Sequence, residues 1–283
     1  MKKVICIVGP TGSGKTKLSI DIARHFGAEI INGDSVSIYQ QLDIGSAKIT
    51  KDEMHGIPHH LISCVPLDQT YTVYNFQQDV RGLIKDIKQP LIVGGSGLYI
   101  KSALYDYEFE TQNDVTYPPI NEMVEALKKN DPDAAIDFNN QRRIQSAYRV
   151  LMSGQKRSEK NKKNEPLYDI FLIYLDIDRA MLKVRLALRL EQMIEKGFIE
   201  ETKNLMSYEL NIIGYREIQA YLNGTFTLDE AKDKIITSTM RFAKRQKTWF
   251  INQMQPHVYD ALNSNLKKNI IEDLNVFLGV NKS

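Results

Sequence analysis

The chain has 283 residues, of which 42% are hydrophobic and 25% are charged, and its formal net charge is +2. This composition predicts one large folded domain or two smaller ones, and it excludes binding of a polyanion through overall charge alone, although a local basic surface would suffice. Two cysteines are too few for a disulfide framework or a zinc cluster, and no stretch approaches membrane-spanning length, so we expect a cytoplasmic protein without membrane contact.

Strands and helices alternate in the first part of the chain. Residues 4–8 are a continuous apolar run, which is typical of a strand buried on both faces. A helix is predicted to begin near Lys15 and to end at Gly27. This alternation predicts a parallel sheet with helices on both faces. Further strands are predicted at 28–32, 90–95 and 169–176.

The segment between the third and fourth predicted strands has a different composition. It is polar, with Pro- and Lys-rich breaks around short helices, so residues 110–165 are predicted to form an inserted helical subdomain. Residues 1–109 and 166–283 would form the core. The remainder after the fourth strand is predicted to be mostly helical, and Thr227 with Glu230 has the spacing of a capping box.

Residues 9–16, GPTGSGKT, match the pattern G-x-x-x-x-G-K-[ST]. Its glycines let backbone N–H groups face an anion, and the following helix directs its positive dipole end toward the same place. Lys15 adds a charge, and the hydroxyl of Thr16 is positioned to ligate Mg²⁺. Kinases, ATPases and transferases share this cradle, so the motif does not identify a reaction. The alternative to a phosphate-binding loop is a tight glycine turn that binds no ligand. The predicted phosphate-binding residues are Gly9, Pro10, Thr11, Gly12, Ser13, Gly14, Lys15 and Thr16.

Polar residues follow the predicted strands, at the sheet edge where parallel α/β proteins bind ligands. Asp34 follows the second strand, where its carboxylate would flank the bound anion and could accept a proton from a nucleophile. Alternatively, Asp34 caps a following helix or ligates Mg²⁺ through water. Ser96, in GGSGLY after the third strand, offers a hydroxyl to the site or belongs to a simple strand-to-helix turn.

Basic side chains recur on two predicted helices. Arg142, Gln145 and Arg149 lie opposite the apolar face that contains Ile144, and this arrangement suits either an RNA backbone or a solvated helix surface. A second basic run occupies residues 241–249, late in its helix.

The sequence pattern alone determines less about the roles of several other charged or ionisable residues. Arg185 and Arg189 are one helical turn apart and could reach phosphate or only solvent. His59 and His60 are predicted to be structural, because no third metal ligand is near in sequence. Arg216 follows a glycine and a tyrosine, a context less typical of a surface charge.

The motifs together resemble the tRNA dimethylallyltransferase (isopentenyl transferase) family over nearly the whole chain. The resemblance implies an α/β, P-loop nucleotide-kinase-like fold, with an inserted helical subdomain that grips the tRNA anticodon stem-loop. It also implies an enzyme that moves a dimethylallyl group from dimethylallyl diphosphate to the N6 amine of adenosine 37. We expect this enzyme to be a monomer that uses Mg²⁺. The matching stretches are, in order, GPTGSGKT, GDS, DIGSAK, GIPHHL, GGSGLY, QRRIQSAYRV, IGYRE and AKRQKTWF.

The same resemblance implies roles for individual residues. Asp34 is the candidate general base, while Thr16 and Arg216 contact the diphosphate of the donor, and these three form the candidate catalytic set. The residues implied to meet tRNA are Asp34, Ser35, Val36, Ser37, Ser96, Gln141, Arg142, Arg143, Ile144, Gln145, Lys244, Arg245 and Gln246.

Two other functions stay open at the level of sequence. A small-molecule kinase, or a transferase acting on free AMP, would use the same cradle, although free AMP needs no basic inserted subdomain. A nucleotide-dependent RNA-binding switch without group transfer would be expected to carry a base-specificity element such as N-K-x-D after the third strand, and this sequence has none there.

Overall fold

The computed structural model describes residues 1–107, 109, 116–158 and 165–280. Strands of this part of the chain form one six-stranded sheet in the order β3-β2-β4-β1-β5-β6, and every neighbouring pair is parallel. The strands are β1 (Lys3–Val8), β2 (Glu29–Asn32), β3 (His59–His60), β4 (Pro90–Gly94), β5 (Asp169–Asp176) and β6 (His257–Asp260).

Helices cover both faces of this sheet and extend beyond it. Among the described residues, none of them combines the length and apolarity needed to cross a membrane. The helices are α1 (Lys15–Phe26), α2 (Val73–Asp86), α3 (Gly97–Leu104), α4 (Ile120–Asn130), α5 (Gln141–Met152), α6 (Arg179–Glu195), α7 (Phe198–Asn204), α8 (Tyr215–Leu222), α9 (Leu228–Met254) and α10 (Leu266–Leu278).

The central strand β1 is buried on both faces, as its apolar run predicts. Val4 and Cys6 pack into a core cluster with residues of α2 and α3, while Ile5 packs on the opposite face with Leu18 and Ile22 of α1. Burying an aliphatic side chain of this kind contributes about 1.5–3 kcal/mol. These two apolar layers orient the loop between β1 and α1 toward the carboxyl edge of the sheet.

The predicted parallel α/β fold is confirmed. β1, β2, β4 and β5 lie where strands were predicted, α1 ends at the left-handed Gly27, and Thr227 with Glu230 forms the capping box of α9. The last part of the chain is mostly helical, as predicted, but the prediction missed β3 and also β6, which completes the sheet. Strands of two and four residues are too short to show an alternating pattern.

The chain divides into two compact units, Met1–Tyr105 with Pro166–Ser283, and Asp106–Glu165. In the second unit, α4 and α5 pack through a small apolar cluster that includes Met123 and Leu127. The insertion predicted from the sequence spans 110–165, and its residues 110–115 and 159–164 lie outside the described part of the chain.

Candidate active site

The cradle joins β1 to α1. Gly9 and Gly14 have φ angles of +146° and +93°, a region that glycine adopts readily, and a Cβ on Gly9 would lie 2.8 Å from the carbonyl oxygen of Leu175. The hydroxyl of Ser13 donates to the carbonyl of Pro10 at 2.8 Å and closes the loop. The first-turn N–H groups of α1 have no acceptor within the helix, so they are available to an anion.

Lys15 lies over the cradle. Its Nζ donates to the carbonyl oxygens of Gly9 at 2.9 Å and Pro10 at 2.7 Å, which leaves the third N–H of the ammonium for a ligand. Burial lowers the pKa of Lys15 to about 8; the charge of Asp34 opposes this shift and that of Arg189 adds to it. The ammonium is therefore a poorly solvated cation, and a bound anion would stabilise its charged form.

A cavity of about 360 Å³ opens beside the cradle. Its lining brings Asp34 together with Lys15 and Thr16, as expected for residues that follow strands of one parallel sheet at the same edge. The catalytic roles assigned to Asp34 and Thr16 stay predictions, but the juxtaposition that they require is present. Further side chains in the lining include Asn32, Ser37, Lys48, His59 and Arg189.

The backbone of Asp34 is held by the side chain of Asn32, at the end of β2. Asn32 Oδ1 accepts the N–H of Asp34 at 3.0 Å, and Nδ2 donates to the carbonyls of Asp34 and Leu61, both at 2.9 Å. Asp34 Oδ1 accepts the N–H of Val36 at 2.9 Å, so this carboxylate caps a turn and not a helix. Within the described part of the chain, Oδ2 has no hydrogen-bond partner and is available for a proton.

The turn after β2 is bonded to the turn after β4. The N–H of Ser35 donates to Ser96 Oγ at 3.0 Å, and Ser96 Oγ donates to Ser35 Oγ at 3.1 Å. Ser37 lines the cavity, and Val36 packs beside a neighbouring apolar cluster. Residues predicted to meet tRNA therefore surround the Asp34 turn, and their contact with RNA stays a prediction.

Arg216 does not line this cavity. Its Nη2 and Nε donate to Oε1 of the buried Glu217 at 2.5 and 3.2 Å, and Nη1 donates to Asn211 Oδ1 at 3.2 Å. The structure therefore does not bring Arg216 to the cradle, and its contact with a donor diphosphate stays a prediction.

The side chains in the basic run of α9 differ in exposure. Lys244 and Arg245 are exposed, as an RNA contact requires, but Gln246 is only 7% exposed. Gln246 Nε2 donates to the carbonyl of Gly95 at 2.9 Å, and its Oε1 has no partner among the described residues. Gln246 thus supports the glycine turn after β4, and its contact with tRNA stays a prediction.

Helix α5 presents a narrower basic surface than its sequence suggested. Arg149 donates from Nε and Nη2 to the hydroxyl of Tyr117 at 3.0 and 2.6 Å, and Gln145 is half-buried. Ile144 is buried in the core of its own unit, where its side chain fills the α4–α5 interface, and its contact with RNA stays a prediction. The exposed polar residues of this helix are Gln141, Arg142 and Arg143.

The sequence left open whether Arg185 and Arg189 reach phosphate or only solvent, and neither was predicted to be a site residue. Arg189 reaches the cavity from α6 and donates from Nη2 to the carbonyl of Ala47 at 3.3 Å, while Arg185 donates to the carbonyl of Gly12 at 3.1 Å. Burial lowers the pKa of the Arg189 guanidinium, while the charges of Glu53 and Asp34 oppose that shift. The one-turn spacing of the two arginines was a usable signal, but it could not show which way they face.

Two further lining residues have structural partners. Lys48 Nζ donates to Asp43 Oδ1 at 2.6 Å, the carbonyl of Tyr39 at 2.7 Å and Ser63 Oγ at 2.8 Å, so all three of its protons are used. His59 hydrogen-bonds the carbonyl of Ile57 through Nδ1 at 2.8 Å, and burial lowers its pKa. Among the residues that the structure describes, no group of three His, Cys, Asp or Glu forms a metal cluster.

Sequence comparison gives consistent relatives. The model of the IPP transferase family matches residues 37–253. The tRNA dimethylallyltransferase of Acholeplasma laidlawii (strain PG-8A) is 70% identical over 280 residues, which cover 99% of this chain and 100% of that protein. The tRNA dimethylallyltransferase of Bacillus cytotoxicus is 42% identical over 286 residues, covering 92% of this chain and 90% of that protein.

Two solved structures with the same fold are named as tRNA-modifying transferases. The crystal structure of the full-length tRNA isopentenylpyrophosphate transferase from Bacillus halodurans has a TM-score of 0.76 and 34% identity, covering 99% of this chain and 96% of that one. A eukaryotic dimethylallyltransferase acting on tRNA has a TM-score of 0.90 and 28% identity, covering 100% of this chain and 81% of that one. On the family model and these full-length similarities, the chain belongs to the IPP transferase family.

Proposed function

We propose that this protein transfers a dimethylallyl group from dimethylallyl diphosphate to the N6 amine of adenosine 37 of tRNA and releases diphosphate. The observation that carries the proposal is the Asp34 carboxylate in one cavity with Lys15 and Thr16 of the phosphate cradle. A phosphate cradle and a candidate proton acceptor that share one cavity support this proposal. The names of the full-length relatives support the same chemistry.

On the donor side, the cradle stabilises charge. Breaking the allylic C–O bond leaves negative charge on the diphosphate, and the backbone N–H groups at the start of α1 face that charge in a fixed geometry. The third N–H of Lys15 is free to donate to the same anion, and Arg189 adds a second cation to the cavity. These donors are fixed before reaction, so little reorganisation accompanies the departure of diphosphate.

On the acceptor side, Asp34 removes a proton. The adenine amine is a weak nucleophile, because its lone pair is delocalised into the ring. As the new C–N bond forms, one amine proton passes to Asp34 Oδ2, the oxygen left open by the turn bond to Val36. General-base catalysis of this kind contributes roughly 10²–10⁴-fold. The adenosine must leave its stack to reach the cavity, at a cost of a few kcal/mol that contacts in the pocket offset.

The oxygen ligands available in the cavity fit Mg²⁺. Thr16 presents a hydroxyl to this space, and Mg²⁺ prefers hard oxygen ligands, of which the protein usually supplies only one or two. Thr16 would hold the ion directly, and when bound it would neutralise charge on the diphosphate.

Each of the two units carries exposed cations that would contact the anticodon stem-loop. These side chains suit contacts to phosphates, which position an RNA without reading its sequence. We further propose that the protein acts as a monomer in the cytoplasm, where its tRNA substrate is found. These cations are Arg142 and Arg143 in the unit Asp106–Glu165, and Lys244 and Arg245 in the other unit.

One experiment tests the reaction against its alternatives. The protein and Mg²⁺ are incubated with labelled dimethylallyl diphosphate and unmodified tRNA, and the label is expected in tRNA at adenosine 37. A tRNA with guanosine at that position should stay unlabelled. Label in free AMP, transfer of phosphate from ATP to a small molecule, or RNA binding without transfer would each replace the proposal with the corresponding alternative.

A further inference from the structure

A carboxylate outside the cavity lining gathers four hydrogen-bond donors. Glu201, in α7, accepts the backbone N–H groups of Asp43 and Ile44 at Oε2, at 3.2 and 2.7 Å, and that of Gly45 at Oε1, at 2.9 Å. The hydroxyl of Tyr215 donates to the same Oε1 at 2.6 Å. We call Glu201, Tyr215 and the amides of residues 43–45 the Glu201 clamp.

The clamped loop is also pressed against aromatic rings. A Cβ on Gly45 would collide with Phe198 and would lie 2.5 Å from Cζ of Tyr215, so the loop backbone rests directly on these two rings. Phe198 and Tyr215 pack edge to face, with centroids 5.1 Å apart, and both are fully buried. A loop held by three amide bonds and this close approach has little freedom to shift.

The residues that follow the clamp form one wall of the cavity. Ser46, Ala47, Lys48 and Ile49 all belong to its lining. Ala47 has a φ of +50°, and its carbonyl accepts from Arg189, which also lines the cavity. A change in the position of residues 43–45 would therefore move this wall relative to the cradle.

We propose that Glu201 is a positioning residue for donor binding, which fixes the wall formed by residues 46–49 against the cradle. It touches no reacting atom and acts through the backbone of the loop. This inference rests on the proposed function, since it assigns the wall to the diphosphate donor. Tyr215 shares the role through its bond to Oε1.

The test compares Glu201→Gln and Tyr215→Phe with Glu200→Gln. A glutamine at 201 keeps the shape but turns an NH₂ group toward backbone N–H donors, whereas Tyr215→Phe removes one bond and keeps the ring. Glu200 is the matched control, because its side chain is 66% exposed and lies 3.9 Å from Lys203. We expect the KM for the donor to rise about 10-fold in Glu201→Gln and about 3-fold in Tyr215→Phe, with the KM for tRNA unchanged. Glu200→Gln should match wild type.

A purely structural role would give a different pattern. Loss of folded protein lowers kcat and leaves both KM values intact, and that result, or an unchanged donor KM, would overturn the proposal. If Glu201→Gln fails to fold, Tyr215→Phe alone decides between these outcomes. If the wild-type protein transfers no dimethylallyl group, the proposed function fails separately. The affinity for inorganic diphosphate, measured by calorimetry in wild type and both variants, then decides the role of the clamp.

Discussion

Replacing Asp34 by asparagine tests the proton transfer with little disturbance of the fold. Asparagine keeps an Oδ1 that can accept the N–H of Val36, and the bonds from Asn32 to the backbone of residue 34 do not depend on the side chain. Asp34→Ala removes the turn bond as well, at a cost of about 0.5–1.5 kcal/mol in the free energy of unfolding. The pair of variants therefore separates the base from the turn.

The expected loss of rate follows from the loss of the base. A general base contributes roughly 10²–10⁴-fold, so both variants should react at least about 100-fold more slowly, a barrier increase of about 2.7 kcal/mol or more. Because the Asp34 carboxylate helps to keep Lys15 charged, its removal lowers the Lys15 pKa further below about 8. The assay should therefore run near pH 7, where loss of the Lys15 charge contributes less.

The measurement is a single-turnover rate with enzyme in excess over tRNA and with saturating donor. Affinity for tRNA, measured by filter binding, should stay within about 3-fold of wild type, since binding energy comes mainly from phosphate contacts. Only Asp34→Ala should lower the midpoint of thermal unfolding. A rate near wild type in Asp34→Asn would refute the base assignment, and a slow Asp34→Ala beside a fast Asp34→Asn would assign Asp34 to the turn.

Three further changes probe other parts of the molecule. The double variant Arg142→Ala, Arg143→Ala should bind tRNA more weakly, and the slope of log affinity against log salt concentration should become shallower by about 1 to 2. An unchanged slope would show that this face of α5 contacts only solvent. As the pH rises through about 8, Lys15 loses its proton, so the cradle loses its cation and the affinity of the wild-type protein for diphosphate should fall. The Lys15→Arg variant keeps its charge and should show no such fall. Parallel pH profiles of the two proteins in a binding titration would contradict this prediction. Gly45→Ala forces a Cβ onto Phe198 and should lower the free energy of unfolding by about 1–3 kcal/mol, whereas an unchanged thermal midpoint would contradict the close packing.

Local sequence patterns predicted the elements that carry the cradle. The apolar run of β1, the glycines with Lys15, and the stop at Gly27 each act within a few residues, so their physics is visible in the sequence. The position of Asp34 was also predictable, because a parallel sheet brings the carboxyl ends of its strands to one edge. The resemblance of the ordered motifs to one family added the chemistry, which the cradle alone leaves open.

The tertiary structure decided what depends on partners far apart in the chain. Glu201 meets the amide of Asp43 across 158 positions, and nothing near either residue in sequence indicates that contact. The direction of Arg189, the burial of Gln246 and the pairing of β6 with β5 depend likewise on which elements pack together. Sequence determined the phosphate cradle because a short loop sets its own backbone geometry; the cavity wall facing it exists only once distant helices hold it in place.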